Sequence, residues 1–230
     1  MSGRSDTGKG RIQAAATRHR APMNALVQSV VILFLADCAT PVRADMIDTS
    51  GMQPWEICGL CHSLDGISRM AKFPKLAGQR PHYIVKQFRD FHSGTRENDG
   101  GQMQAITTEI DQADLQAIAD YFAGLAPPAP VPEVEPDRLL AAGTLFRTGR
   151  GGIPACLSCH GSADPDLPLA PWLEAQHPDY LAKQLTDFKA GNRTNDPEGV
   201  MQAIAAQLSD KDVSELAAYI AAQERPERTP

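Results

Sequence analysis

The sequence predicts an all-α protein built from two tandem copies of one domain. Three observations carry that expectation. Apolar residues recur at helical spacing in paired segments, and no convincing alternating strand pattern is present. The second half of the chain repeats the first at an offset of 97 to 98 residues. Aromatic residues make up only 6% of the 230, thin for two small cores built from side chains alone. The composition is otherwise that of an ordinary soluble chain, 42% hydrophobic and 22% charged.

The N-terminus reads as a leader. Arg4, Lys9, Arg11, Arg18 and Arg20 precede an apolar run from Ala25 to Ala36, 12 residues long. That length suits the apolar segment of an export signal and falls short of the roughly 18 residues a membrane span requires. Val42 and Ala44 are small residues at −3 and −1, so cleavage is expected after Ala44, making residues 1–44 a signal peptide and the mature protein periplasmic. Leu35-Ala36-Asp37-Cys38 is the alternative, a lipoprotein box with Cys38 acylated, but Asp37 fits it poorly. Membrane tethering stays open as a second reading. Removing the leader takes the net charge from −6 to −10, which argues against nucleic acid as a partner.

The repeat runs almost throughout the remainder. Tyr83 to Phe91 (YIVKQFRDF) answers Tyr180 to Phe188 (YLAKQLTDF). Gly94, Arg96, Asn98 and Asp99 answer Gly191, Arg193, Asn195 and Asp196, and Met103-Gln104-Ala105-Ile106 answers Met201-Gln202-Ala203-Ile204. Each copy carries helical stripes: Ile84, Phe88 and Phe91 with Leu181, Leu185 and Phe188, then Leu115, Ile118, Ala119 and Phe122 with Val213, Leu216, Ala217 and Ile220. Ser209-x-x-Asp212 has the form of a capping box, with Asp111-x-x-Asp114 as its counterpart. The expected domains are 45–125 and 137–230. Between them 126–136 reads as a Pro-rich linker, APPAPVPEVEP, with nothing to bury.

Outside the leader the cysteines form two pairs, Cys58-Gly59-Leu60-Cys61-His62 and Cys156-Leu157-Ser158-Cys159-His160. Two disulfides, a dithiol redox pair or half a zinc site are the alternatives for such pairs. The His after each pair favours covalent haem attachment, because C-x-x-C-H is its signature. Two sulfurs on one helical turn reach the two vinyl groups of a porphyrin, and the next residue, His62 or His160, presents its imidazole to the iron. Two covalently bound haem c groups are expected, one per domain, and each supplies the apolar bulk that its domain lacks.

A sixth ligand follows from the repeat. Met103 lies 41 residues after His62, and Met201 lies 41 after His160. A lone Met near a helix is usually core packing, but duplication at equal spacing points to ligation. His82, His92 and His177 have no matching His in the other copy and are read as surface residues. With Met at both irons no open coordination site remains, so electron transfer is expected rather than catalysis, and no catalytic residue is assigned.

On these motifs, together with Pro74-Lys75-Leu76-Ala77-Gly78-Gln79, the Tyr-to-Phe helices and Arg96-x-Asn98-Asp99 with Arg193-x-Asn195-Asp196, the chain resembles the two-haem class I cytochromes c of the cytochrome c4 type. The resemblance implies two class I domains, and a carbonyl on Pro74 and on Pro171 accepting a hydrogen bond from the proximal imidazole. Two departures stand out. The first domain is short before Cys58, whereas the second keeps a helix around Leu139 to Phe146. The second also reads Trp172-Leu173-Glu174-Ala175-Gln176 where the family has Leu-Ala-Gly-Gln. The implied function is a periplasmic single-electron carrier between a quinol-oxidising complex and a terminal oxidase. The alternatives are a dedicated partner or subunit of a dehydrogenase, for instance one oxidising thiosulfate or an alcohol, and more remotely a dihaem peroxidase. The acidic surface predicts basic docking faces on its protein partners.

Overall fold

Nine helices form among the residues described by the structure, a computed structural model covering 51–132, 136–161 and 169–225. The leader, its cleavage point and Cys38 lie outside them. The first repeat holds α1 (Pro54–His62), α2 (Pro81–His92), α3 (Gln102–Thr108) and α4 (Leu115–Gly124). The second holds α5 (Leu140–Thr148), α6 (Leu157–His160), α7 (Pro178–Ala190), α8 (Val200–Ala205) and α9 (Asp210–Ala221). No strand occurs among the described residues, only one isolated bridge between Arg150 and Ile153. The all-α expectation holds.

Local chemistry sets the helix starts. Proline occupies the first turn of α1, α2 and α7, where its missing N–H costs nothing. The Ser209–Asp212 capping box forms: Ser209 N donates to Asp212 Oδ2 at 2.9 Å, and Asp212 N donates to Ser209 Oγ at 3.1 Å. Its counterpart is only half made. Asp111 Oδ1 accepts from Ala113 N at 2.9 Å, and a 3-10 turn, Gln112–Asp114, leads into α4.

The predicted stripes are the core. In the first repeat Ile84, Ile118, Ala119 and Phe122 form the buried cluster, with Trp55 stacked on Tyr121 at 4.7 Å beside it. Truncating a fully buried phenylalanine such as Phe122 costs roughly 3–5 kcal/mol. The second cluster is larger because α5 adds Ala142, Leu145 and Phe146 to the face of α9. Gly143 lets α5 approach so closely, since a Cβ there would meet the Tyr219 ring at 2.8 Å. The first repeat has no separate counterpart of α5 among the described residues: α1 itself carries both cysteines.

The linker corrects one expectation. It is not a strap with nothing to bury. Pro128 is buried, Val131 packs on the second cluster, and Val131 N donates to Ala221 O at 2.9 Å. Pro127 lies over Gly78, where an added Cβ would meet it at 3.1 Å.

The described residues belong to one compact unit, and the repeats meet through polar side chains that both copies share. Arg96 reaches across to Gln184 Oε1 at 2.8 Å and Tyr180 OH at 3.2 Å. Arg193 reaches back to Gln87 Oε1 at 3.1 Å and Tyr83 OH at 3.3 Å. Lys86 Nζ donates to Asn195 O, and Lys183 Nζ to Asn98 O, both at 2.6 Å. The contacts are reciprocal, as expected when two copies of one surface pair about an approximate two-fold axis.

Candidate functional site

Each cysteine pair sits on a single helical turn that ends in its histidine. Cys58, Cys61 and His62 close α1, while Cys156 caps α6, which carries Cys159 and His160. None of these four cysteines is joined in a disulfide. Burial pushes the Cys58 and Cys156 thiols up to about 11. Among the described residues no group of three or more His, Cys, Asp or Glu side chains is arranged to hold a metal ion.

The two histidines are held alike. His62 Nδ1 lies 2.8 Å from Pro74 O, and His160 Nδ1 lies 2.8 Å from Pro171 O. A carbonyl only accepts, so Nδ1 carries the proton in both rings and the Nε2 lone pair is left for a metal. Burial lowers both pKa values from the ordinary histidine value, which keeps the rings neutral at pH 7. The proline carbonyls implied by the resemblance are therefore in place.

Met103 and Met201 occupy the first turns of α3 and α8, both half-buried. Gly101 and Gly199 precede these helices at φ +81° and +69°, a backbone region that glycine enters without strain. An aspartate pins each turn. Asp99 Oδ2 accepts from Met103 N at 2.6 Å, and Asp196 Oδ2 accepts from Gln202 N at 3.0 Å. The repeated Asp is visible in the sequence; its role in fixing the methionine turn is not.

These residues fit haem c. The donor set is right in kind: paired cysteines on one helical turn, a neutral oriented imidazole and a thioether in each repeat. Leu60 between the cysteines, Leu64 after His62 and Val200 before Met201 are exposed at 62%, 51% and 47%, apolar surface without cover beside the motifs. Arg225 is buried, yet its Nη2 has no partner, a donor of the kind that a haem propionate satisfies.

Two of the remaining histidines depart from the surface expectation. His82 is exposed, but His92 is half-buried, with Nδ1 3.0 Å from Thr107 O and its ring stacked on Phe88. His177 is half-buried between the repeats, its Nε2 2.8 Å from Ser68 Oγ. A ring with one polar edge and an apolar face suits such a half-buried seam, which the sequence alone does not reveal.

Comparison with known proteins places this arrangement. Residues 141–220 match the family described as cytochrome C oxidase, cbb3-type, subunit III. Cytochrome c4 of Azotobacter vinelandii is 41% identical over 176 residues, 71% of this chain and 83% of its own. The crystal structure of reduced recombinant cytochrome c4 from Pseudomonas stutzeri superposes with a TM-score of 0.65 at 37% identity, over 73% of this chain and 94% of that one. The thiosulfate dehydrogenase electron acceptor of Thiomonas intermedia is 33% identical over 72% of this chain and 78% of its own. With repeats, motifs and relatives in agreement, the chain belongs to the cytochrome c4 family, all-α electron carriers with two covalently bound haem c groups rather than enzymes.

Proposed function

We propose that Cys58 and Cys61 hold one haem and Cys156 and Cys159 the other, with His62 and His160 as proximal and Met103 and Met201 as distal iron ligands. Residues 45–125 and 137–230 are then the two haem domains, joined by 126–136. The observation that carries this reading is the duplicated donor set, a Pro-bonded imidazole followed at 41 residues by a methionine in a pinned turn. Each bound haem supplies a one-electron ferric–ferrous couple.

The chain's own residues set the conditions for that couple. The carbonyls of Pro74 and Pro171 fix ring orientation and raise imidazole basicity. The methionine thioethers, soft donors, favour the reduced metal and raise the potential. An electron enters and leaves without any bond being made or broken, so what is asked of the protein is ligation, orientation, tuning of the potential and screening from water.

Export by residues 1–44 places the carrier in the periplasm, where it takes electrons from a quinol-oxidising complex and delivers them to a terminal oxidase. Its net charge of −10 without the leader suits partners with basic docking faces. A second reading, dedicated acceptor for a dehydrogenase, is favoured by the likeness to the Thiomonas protein. Stopped-flow reduction of the holoprotein separates the two. Fast, salt-sensitive reduction by the quinol-oxidising complex and slow reduction by a thiosulfate dehydrogenase are expected, and the opposite order establishes the second reading.

A further inference from the structure

The two proximal hydrogen bonds are not independent of the repeat interface. Pro74 O, which accepts from His62 Nδ1, belongs to the same peptide unit as Lys75 N–H. That N–H donates across the interface to Gln176 Oε1 at 2.8 Å, and Gln176 Nε2 donates back to Lys75 O at 3.0 Å. The mirror arrangement serves the other histidine. Pro171 O accepts from His160 Nδ1, Trp172 N donates to Gln79 Oε1 at 2.9 Å, and Gln79 Nε2 donates to Trp172 O at 2.9 Å. Both glutamines are only 4% exposed, and each Oε1 is further fixed by the next backbone N–H, from Arg80 or His177.

We propose that Gln176 and Gln79 are crossed positioning residues, each tuning the proximal histidine of the opposite repeat through the Pro-x peptide between them. The inference rests on His62 and His160 being the proximal ligands. An amide whose N–H donates to a good acceptor carries more negative charge on its carbonyl oxygen, because hydrogen bonds in series polarise one another. Gln176 thus strengthens the His62 Nδ1–H···O bond, makes the imidazole a stronger donor, and stabilises the oxidised iron of the first repeat. Gln79 does the same for the second. Each redox centre is then set partly by the other repeat, so the interface is part of the redox site and not merely the seam that joins two carriers.

The test is a redox titration of the dihaem holoprotein. Met103→His and Met201→His each lower one potential and so assign the two transitions. In Gln176→Leu the first-repeat haem is expected to shift to higher potential while the second stays within error, although Gln176 itself belongs to the second repeat. Gln79→Leu is expected to do the converse. Gln176→Glu keeps the Oε1 acceptor and should restore the first-repeat potential to the wild-type value or below. NMR of Gln176→Leu should also show faster solvent exchange of the His62 Nδ1 proton. A shift confined to the haem of the substituted repeat, or no shift in either variant, overturns the proposal. If the Met→His variants move neither potential, the ligand assignment falls and takes the proposal with it.

Discussion

Arg96 donates to Gln184 Oε1 at 2.8 Å across the repeat interface, and Arg193 answers with a bond to Gln87 Oε1 at 3.1 Å. Both guanidiniums are buried, at 5% and 6% exposure, and each lies 4.5 Å over a phenylalanine ring of its own repeat, Phe91 or Phe188. Charge-assisted bonds of this kind across the interface stabilise it only while each buried acceptor stays paired.

Arg96→Met is therefore expected to destabilise the holoprotein by roughly 2–3 kcal/mol, because Gln87 and Gln184 each lose a charged donor. Denaturant unfolding followed by both haem absorbance and far-UV circular dichroism checks this. Loss of one coincident transition in favour of two marks uncoupled repeats, and an unchanged midpoint contradicts the account.

Met103→Ala and Met201→Ala should each remove the far-red thioether-to-iron absorption of one haem and lower its potential, leaving the other in place. A variant with the oxidised spectrum and both potentials of the wild type would show that methionine to be packing only.

Ala175 takes φ +56° where its counterpart Gly78 takes φ +67°, so a residue with a Cβ occupies a left-handed turn. Replacing it relieves strain and costs some unfolded-chain entropy. Ala175→Gly is expected to stabilise by about 0.5–1 kcal/mol, which raises Tm by about 1–4 °C for a chain of this size. A lower Tm would mean that the buried methyl packs better than its backbone is strained.

Asp212 caps α9 and pairs with Arg150 at 2.8 Å, and the hydrogen bond from Arg150 holds its carboxyl below the usual carboxylate range. A depressed carboxylate contributes stability that is fully present above its unfolded value, about pH 4, and is lost as pH falls through the lower folded value. Asp212→Ala should cost about 1 kcal/mol at pH 7. Denaturation midpoints of variant and wild type should converge in strong acid, and a pH-independent difference would assign the cost to packing.

Much of this was legible in the sequence because it rests on local chemistry. The stripe of Ile84, Phe88 and Phe91 is buried as its spacing requires, the Ser209 box forms, and the C-x-x-C-H motifs fall on helical turns. The interface was not legible, although its residues were in view. Tyr83, Gln87 and Asp90 follow helical spacing one position before the apolar stripe and recur as Tyr180, Gln184 and Asp187. Identical polar residues at helical spacing in two copies read as evidence of duplication, and only the packing shows that they face one another. The same holds for Val131, which packs where α9 ends. Gln79 and Gln176 likewise gain meaning only from the opposite repeat.

The most direct test of the central claim is an optical redox titration of the purified holoprotein that follows both haems together with the far-red thioether band. Two one-electron transitions at high potential, each losing its share of the band on reduction, are expected for two His/Met-ligated carriers. A haem that titrates low, lacks the band or is high-spin would contradict that ligation and return an open iron site to one of the repeats.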